Sequence, residues 1–301
     1  MISHHNFILY INEKEEMINN ICICGAGTMG SGIAQATGMA GFYTTLYELN
    51  EIVLEKAKNL IEKNLQSLVV KNKITRKAKD DTINHLRFTN NLSDCLADVV
   101  IEAIIEKPEA KIALFNQLAE INHSETIFAT NTSSLSISQI AKGVKNAERV
   151  IGMHFFNPAP VMKLVEVVNT EFTNNQTTAI ILELAKQMGK TPVLCKDSPG
   201  FIVNRIARPF YIESLRLAEK EMTDFSTLDS LMENSGFKMG PFKLMDLIGN
   251  DVNYAVSCSV FDQLGKPERL KPSYIQQDKV EKGELGKKSG KGYYDYSLEE
   301  N

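Results

Sequence analysis

The sequence predicts an α/β fold over its first two thirds, a doubly wound parallel sheet interrupted by a helical arm, followed by an all-α domain. Three observations carry this. Short apolar runs alternate with stretches of helical spacing as far as residue 199. The first of those runs enters a glycine turn that opens directly into a helix. Past Cys195-Lys196-Asp197-Ser198-Pro199-Gly200 the strand-like runs stop, and helical periodicity continues to the C-terminus. The expected divisions are an N-terminal extension at 1–16, a first domain at 17–199 with its arm over 51–85, and a helical domain at 200–301.

Asn20-Ile21-Cys22-Ile23-Cys24 reads as a buried strand, and it leads into Gly25-Ala26-Gly27-Thr28-Met29-Gly30 and then a helix through Ile33-Ala34-Gln35-Ala36. Glycines at this spacing permit a tight turn, close approach of a pyrophosphate to the backbone, and close helix–strand packing, while the helix start offers free N–H groups. Gly25, Gly27, Thr28, Met29 and Gly30 are therefore candidate cofactor-binding residues in a Rossmann-type unit. Taken alone, such a turn is weak evidence. A second apolar run, Tyr43-Thr44-Thr45-Leu46-Tyr47, ends in Glu48, at about the 20-residue spacing where an acid holds the ribose 2′-hydroxyl of NAD. An acid there repels a 2′-phosphate, so NAD is expected over NADP.

The chain then departs from a simple β-α-β return. Val53, Leu54, Ala57, Leu60, Ile61, Leu65 and Leu68 carry helical spacing over 51–70, and a second helix is expected over 76–85. From Lys63 to Lys79 this arm holds Lys63, Lys71, Lys73, Arg76, Lys77 and Lys79 without one Asp or Glu, a patch suited to a polyphosphate or simply a solvated face. The alternation resumes at Leu86-Arg87-Phe88 and Val99-Val100-Ile101-Glu102-Ala103, then a helix over 108–120 and the strand Thr126-Ile127-Phe128-Ala129. Glu106 and Asn131-Thr132-Ser133-Ser134 fall beyond carboxyl ends of strands, where open parallel sheets bind ligands. Ser133 equally suits a helix N-cap ahead of Ser136-Ile137-Ser138-Gln139.

His154-Phe155-Phe156-Asn157-Pro158 and Lys163-Leu164-Val165-Glu166-Val167-Val168 place a histidine and a carboxylate where folding can join them. If 150–156 and 162–168 are strands of a hairpin centred near Pro160, His154 faces Glu166 across the ladder. Glu166 shares its face with Leu164 and Val168, so it is a carboxylate on an apolar stripe and needs a partner. Such a pair suits proton transfer, since the carboxylate fixes the ring tautomer and stabilises the imidazolium. By itself it also suits a purely structural ion pair. Further on, Phe201-Ile202-Val203-Asn204-Arg205 opens a long helix with Asn204 in its first turns, Met239-Gly240-Pro241-Phe242 reads as a turn before a helix at Leu244, and 286–294 form a glycine- and lysine-rich tail.

The 301 residues suit two domains, and a net charge of −4 argues against nucleic acid as the main partner. No apolar run approaches a membrane span, and Phe7-Ile8-Leu9-Tyr10-Ile11 is too short for a signal segment, so a cytoplasmic protein is expected. Five scattered cysteines, two of them on one predicted buried strand, favour reduced thiols over a disulfide or metal site, and no metal is expected.

Taken together, GAGTMGSGIA, VIEAIIE, ATNTSSLSI, GMHFFNPAPVMKLVEVV, KDSPGFIVNR, MGPF and GKKSGKGYYDY, in this order from Asn20 to Tyr296, resemble the short-chain 3-hydroxyacyl-CoA dehydrogenase family. The resemblance implies an NAD-dependent enzyme that interconverts (S)-3-hydroxyacyl-CoA, here expected to be the four-carbon 3-hydroxybutyryl thioester, and 3-oxoacyl-CoA. It implies that His154 is the catalytic base and Glu166 its orienting partner, and that Ser133 and Asn204 contact the acyl-CoA near the reacting carbon. Glu48, Glu106, Lys111, Ser133, Asn157 and Lys288 match positions lining the nicotinamide cofactor. Lys71 matches a CoA-contacting lysine, and Asn64 stands where the family has a CoA-contacting serine. Lys243 replaces the usual Glu after MGPF. A homodimer formed through the helical domain, and closure of one domain on the other, also follow from the resemblance. Two other readings use the same residues: a dehydrogenase of a free hydroxy acid or sugar acid, which the basic arm disfavours, and a nucleotide-binding protein without chemistry, which the intact polar set disfavours.

Overall fold

Side-chain alternation along the strands decides which residues meet which helices. The computed structural model describes residues 18–297, and the expected extension at 1–16 lies outside the described residues. Strands β1 (Asn20–Cys24), β2 (Tyr43–Tyr47), β3 (Leu86–Thr89), β4 (Val99–Glu102), β5 (Ile127–Thr130), β6 (Val150–Phe155), β7 (Leu164–Asn169) and β8 (Thr191–Lys196) form one sheet in the order β3-β2-β1-β4-β5-β6-β7-β8. The first six run parallel, β7 is antiparallel to β6, and β8 is parallel to β7. The chain steps outward from β1 to β3 and then restarts at β4 on the other side, so a crevice opens beyond the ends of β1 and β4.

Helices α1 (Thr28–Met39), α2 (Glu51–Val70), α3 (Arg76–Asn84), α4 (Pro108–Ile121), α5 (Ile137–Lys142) and α6 (Asn175–Gln187) flank the sheet. One face gathers Ile21, Ile23, Val99, Ile101, Val165 and Val167 with Ile33 of α1 and Ile181 and Leu184 of α6. The alternate residues Cys22, Cys24, Val100, Phe128, Val150 and Val168 meet Leu114, Phe115 and Leu118 of α4 and Ile137 and Ile140 of α5. Both faces are covered, as a parallel sheet requires. The thiols are free, and Cys22, Cys24 and Cys95 are buried as small apolar groups. The arm is α2 and α3, capped by the side chains of Asn50 and Thr75 and anchored through Leu54, Ala57, Ile61 and Leu65. Neither α6 nor β8 stood out in the sequence. β8 is a largely exposed edge strand containing Pro192, so it carries neither clean alternation nor a buried apolar run.

The helical domain comprises α7 (Val203–Glu219), α8 (Phe225–Asn234), α9 (Pro241–Ile248), α10 (Asn250–Gln263) and α11 (Tyr274–Glu281). Tyr211, Leu215, Leu228, Phe242, Met245 and Tyr293 form its main core. Helix α9 begins at Pro241 rather than at Leu244, because proline at the first helical position loses no hydrogen bond and the Asp229 carboxylate accepts the next two N–H groups, of Phe242 and Lys243. The glycine-rich tail wraps a buried carboxylate: Asp246 accepts from the N–H groups of Tyr293 and Tyr294, from Asn250 Nδ2 and from the Tyr296 hydroxyl. Among the described residues no helix is long and apolar enough to cross a membrane.

Candidate active site

The glycine turn between β1 and α1 is shaped by steric need. Gly25 has φ +100°, and a Cβ there would lie 2.7 Å from the Ala103 carbonyl oxygen, while a Cβ on Gly30 would lie 1.7 Å from that of Gly25. Around Gly27 a Cβ would meet nothing within 4 Å, so the turn is closed at its ends and open in its middle. Among the described residues no side chain caps the first N–H groups of α1, which are left for an anion. Glu48, at the end of β2, rims this cradle, with its carboxylate accepting from Ala26 N–H and Asn50 N–H, both at 3.1 Å. An open cradle of N–H groups beside a carboxylate fits the pyrophosphate and ribose of a dinucleotide.

Beyond β4 and β5 a second polar cluster forms. The Glu106 carboxylate accepts from the Thr132 hydroxyl at 2.5 Å, from Ser133 N–H at 3.1 Å and from the Ser134 hydroxyl at 3.4 Å, which fixes the loop carrying Ser133. Behind it Lys111, only 1% exposed, directs its ammonium to Glu102 at 2.6 Å and Glu106 at 3.1 Å. Lys111 is thus engaged with two carboxylates, one of them the Glu106 that holds the Ser133 loop. Burial pushes the Glu102 carboxyl above its ordinary value, offset only in part by the Lys111 charge and by hydrogen bonds from Lys111, the Thr130 hydroxyl and Ile104 N–H. Ser133 is not the helix cap. Ser136 caps α5 by accepting from Gln139 N–H, and Asp197 in turn accepts from the Ser136 hydroxyl and Ser138 N–H.

The third cluster lies where the two domains meet. Register places His154 opposite Glu166 across β6 and β7, with Nδ1 2.7 Å from Glu166 Oε2 and both residues buried. A carboxylate can only accept, so Nδ1 carries the proton and Nε2 holds the free lone pair in the neutral ring. No described residue partners Nε2, and the Phe156 and Phe201 rings pack beside the imidazole. The other Glu166 oxygen accepts from Ile202 N–H at 3.0 Å and Val203 N–H at 2.8 Å, so the same carboxylate caps the start of α7. Burial works to raise the Glu166 carboxyl, but the hydrogen bonds from His154, Val203 and Ile202 and the His154 charge outweigh it and hold the group below its ordinary value. Asn204, in the first turn of α7, donates from Nδ2 to the Ser133 carbonyl at 3.2 Å, and Ser259 and Gln263 of α10 donate to the Ser134 carbonyl. The capping role of Glu166 had no signal in the sequence, since its partners lie more than thirty residues away.

Other expected residues sit further out. Asn157 is exposed on the β6–β7 connection, whose Ala159 and Met162 carbonyls are held by the buried ammonium of Lys190 at 2.5 and 3.0 Å. Lys190 was not anticipated, because nothing local distinguishes it from a surface lysine. Lys71 is exposed at the end of α2, and Asn64 donates to Gln35 of α1 at 3.3 Å. Lys288 is paired with Asp251 at 2.6 Å, at the start of α10, about 12 Å along that helix from Ser259 by its rise. Lys243 pairs with Glu233 at 2.9 Å.

A glycine cradle at the switch point of a doubly wound sheet, with a histidine–carboxylate pair at the joint to a helical domain, fits the class of two-domain dinucleotide-binding proteins. Residues 20–198 match the model of the 3-hydroxyacyl-CoA dehydrogenase NAD binding domain, and residues 200–296 that of the 3-hydroxyacyl-CoA dehydrogenase C-terminal domain. The chain belongs to the 3-hydroxyacyl-CoA dehydrogenase family, and its N-terminal domain binds NAD. It is 45% identical over 284 residues to a 3-hydroxyadipyl-CoA dehydrogenase of Escherichia coli K12, covering 94% of this chain and 60% of that protein. A crystal structure of a 3-hydroxybutyryl-CoA dehydrogenase from Escherichia coli K12 superposes with a TM-score of 0.90 at 44% identity, over 95% of this chain and 61% of that one. The (S)-3-hydroxybutyryl-CoA dehydrogenase of Ralstonia eutropha superposes with a TM-score of 0.88 at 34% identity, over 93% and 99% of the two chains. This chain therefore spans about three fifths of the length of the two Escherichia coli relatives and nearly all of the Ralstonia one.

Proposed function

We propose that this protein interconverts (S)-3-hydroxyacyl-CoA and 3-oxoacyl-CoA with NAD, His154 acting as general base and acid. The 2.7 Å contact between His154 Nδ1 and Glu166, which leaves Nε2 without a partner among the described residues while Glu166 also caps the helix that carries Asn204, carries this reading. When bound, nicotinamide supplies the hydride acceptor or donor for C3. His154 Nε2 takes the 3-hydroxyl proton in oxidation and returns it in reduction, and Glu166 keeps the ring in the tautomer that makes Nε2 the base while stabilising the imidazolium. Ser133 and Asn204, already joined across the domain interface, hold the hydroxyl and thioester oxygens and so restrict the acyl group to one reactive orientation. Glu106 steadies Ser133 from below. Lys71 and its basic neighbours on the arm receive the CoA phosphates, a role that favours a CoA thioester over a free hydroxy acid.

The 3-hydroxybutyryl group expected from the sequence satisfies this chemistry, as does the longer 3-hydroxyadipyl group named for the Escherichia coli relative. The helical domain leaves Ile206, Leu231, Phe237, Leu247, Val252 and Tyr274 at least 47% exposed, apolar surface that supports pairing of two copies through that domain. The deciding experiment mixes the protein with acetoacetyl-CoA and NADH, then NADPH, and follows the absorbance of the reduced nicotinamide. Rapid loss with NADH is expected. Consumption of NADPH alone overturns the role of Glu48, and consumption of neither overturns the reaction.

A further inference from the structure

Arg208 is a buried charge that the chemistry above leaves unused. It lies one turn beyond Asn204 on α7, is 2% exposed, and no carboxylate among the described residues pairs with it. Nε donates to the Asn204 carbonyl at 3.0 Å, and NH1 donates to the Asn253 carbonyl at 3.0 Å and the Ser257 hydroxyl at 2.7 Å, with Asn253 Oδ1 at 3.5 Å. The Tyr211 ring centre lies 4.9 Å from the guanidinium carbon. Every partner is neutral. Burial pushes the Arg208 guanidinium down to about 10, with the nearby Tyr211 acting in the opposite direction.

A second donor in the same cluster lacks an acceptor. Asn253 is 2% exposed, and its Nδ2 is sealed with no hydrogen-bond partner among the described residues. The amide orientation is settled by its neighbours: Oδ1 accepts from Gln276 Nε2 at 3.2 Å and faces Arg208, so a flipped amide would set donor against donor. By contrast the buried carboxylates of the same domain, Asp229 and Asp246, are fully supplied with donors. The cluster between α7 and α10 therefore has a positive charge and surplus donors but no anion, whereas buried charges are ordinarily paired.

We propose that Arg208 receives a carboxylate at the far end of the acyl chain, so that the preferred substrates are 3-hydroxyacyl-CoA thioesters of dicarboxylic acids. This deepens the proposed dehydrogenase function and rests on it. The reach is suitable: Arg208 stands one turn from Asn204, about 6 Å of helix rise, and three carbon–carbon bonds of about 1.5 Å each separate C3 from a carboxyl at C6. The guanidinium fork matches a carboxylate, and its NH2 has no protein acceptor among the described residues. A four-carbon acyl group ending in a methyl leaves the charge unanswered.

Calorimetric titration of the full chain, loaded with NAD, with adipyl-CoA and with hexanoyl-CoA compares two six-carbon thioesters that differ only in the terminal group. Adipyl-CoA is expected to bind at least about tenfold more tightly, the size of a charge-assisted pair. Arg208→Met is expected to erase the difference and Arg208→Lys to keep part of it. Equal affinities in the wild-type protein overturn the assignment, and this comparison decides even where Arg208→Met does not fold. Steady-state kcat/KM for 3-hydroxyadipyl-CoA over 3-hydroxyhexanoyl-CoA separates the two claims. Tight adipyl-CoA binding with no turnover of either thioester refutes the dehydrogenase reading and keeps Arg208 in place, whereas turnover of both with equal kcat/KM and equal binding does the reverse.

Discussion

Glu102 at the end of β4 and Glu166 within β7 are both buried carboxylates, and alternation puts both on the sheet face shared with α4 and α5. Each has a basic partner within 2.7 Å, Lys111 for one and His154 for the other. The partners set their fates apart. Lys111 has no side-chain nitrogen but its one ammonium, and it directs that to Glu102 and Glu106, bracing the loop of Ser133. His154 commits one ring nitrogen to Glu166 and keeps the other, Nε2, without a partner among the described residues. Their surroundings differ too: Glu102 ends up above the ordinary carboxyl value because burial prevails, while Glu166, capping α7 as well as holding His154, ends up below it. Similar pairs on one sheet thus differ in what the partner leaves free, and the proposed function gives the chemistry to the His154 pair alone.

The sharpest way to break this contrast is His154→Gln. It is expected to lower kcat by about 10³-fold, the range of a lost general base, while NADH still binds in a fluorescence titration and the fold is kept. Retained turnover abolishes the distinction between the two pairs. Lys111→Met should act mainly on stability, with a loss of about 3–5 kcal/mol in urea unfolding because Glu102 is left buried without its cation. The double variant Lys111→Met with Glu102→Gln is expected to recover much of that loss, and an additive result would show that the two residues are not coupled.

Acid titration gives the smallest and most discriminating effect, on the order of 1 kcal/mol. The depressed Glu166 carboxyl contributes stability that is present above the unfolded value, about 4.3, and is lost as pH falls through its lower folded value. Glu166→Gln is therefore expected to flatten the loss of stability between pH 6 and 3, followed by denaturant unfolding at each pH. Glu102, being raised, contributes in the opposite sense: its part is present below the unfolded value and is lost as pH rises through the folded one. Glu102→Gln should make the acid limb steeper, and parallel curves for the two variants would erase the difference between their environments.

Much of this was legible in the chain. The β6–β7 hairpin could be registered from two strand-like segments and a proline-rich turn, because pairing in an antiparallel ladder follows from sequence spacing once the turn is placed. The glycine cradle and Glu48 were readable for the same reason, each being a local pattern at fixed distance. Helix α6 and edge strand β8 were not, since an exposed strand containing proline has no alternation to detect. Lys190 illustrates the other kind of gap, a lysine that no local pattern distinguishes from a surface one and that the fold buries against the Ala159 and Met162 carbonyls.

Local order along the chain determined most of the elements up to β7, the passage from an α/β to a helical region, the glycine turn and the facing of His154 and Glu166, because each rests on periodicity or on contacts between near neighbours in sequence. Only the tertiary structure decided that Glu166 caps α7, that Asn204 meets the Ser133 loop, that Ser136 rather than Ser133 caps α5, and that Arg208 is buried with no counter-charge among the described residues. Those contacts join groups from separate elements or depend on what the folded protein withholds from water, and no pattern of spacing records which distant backbone N–H or carboxylate will be waiting on the other side.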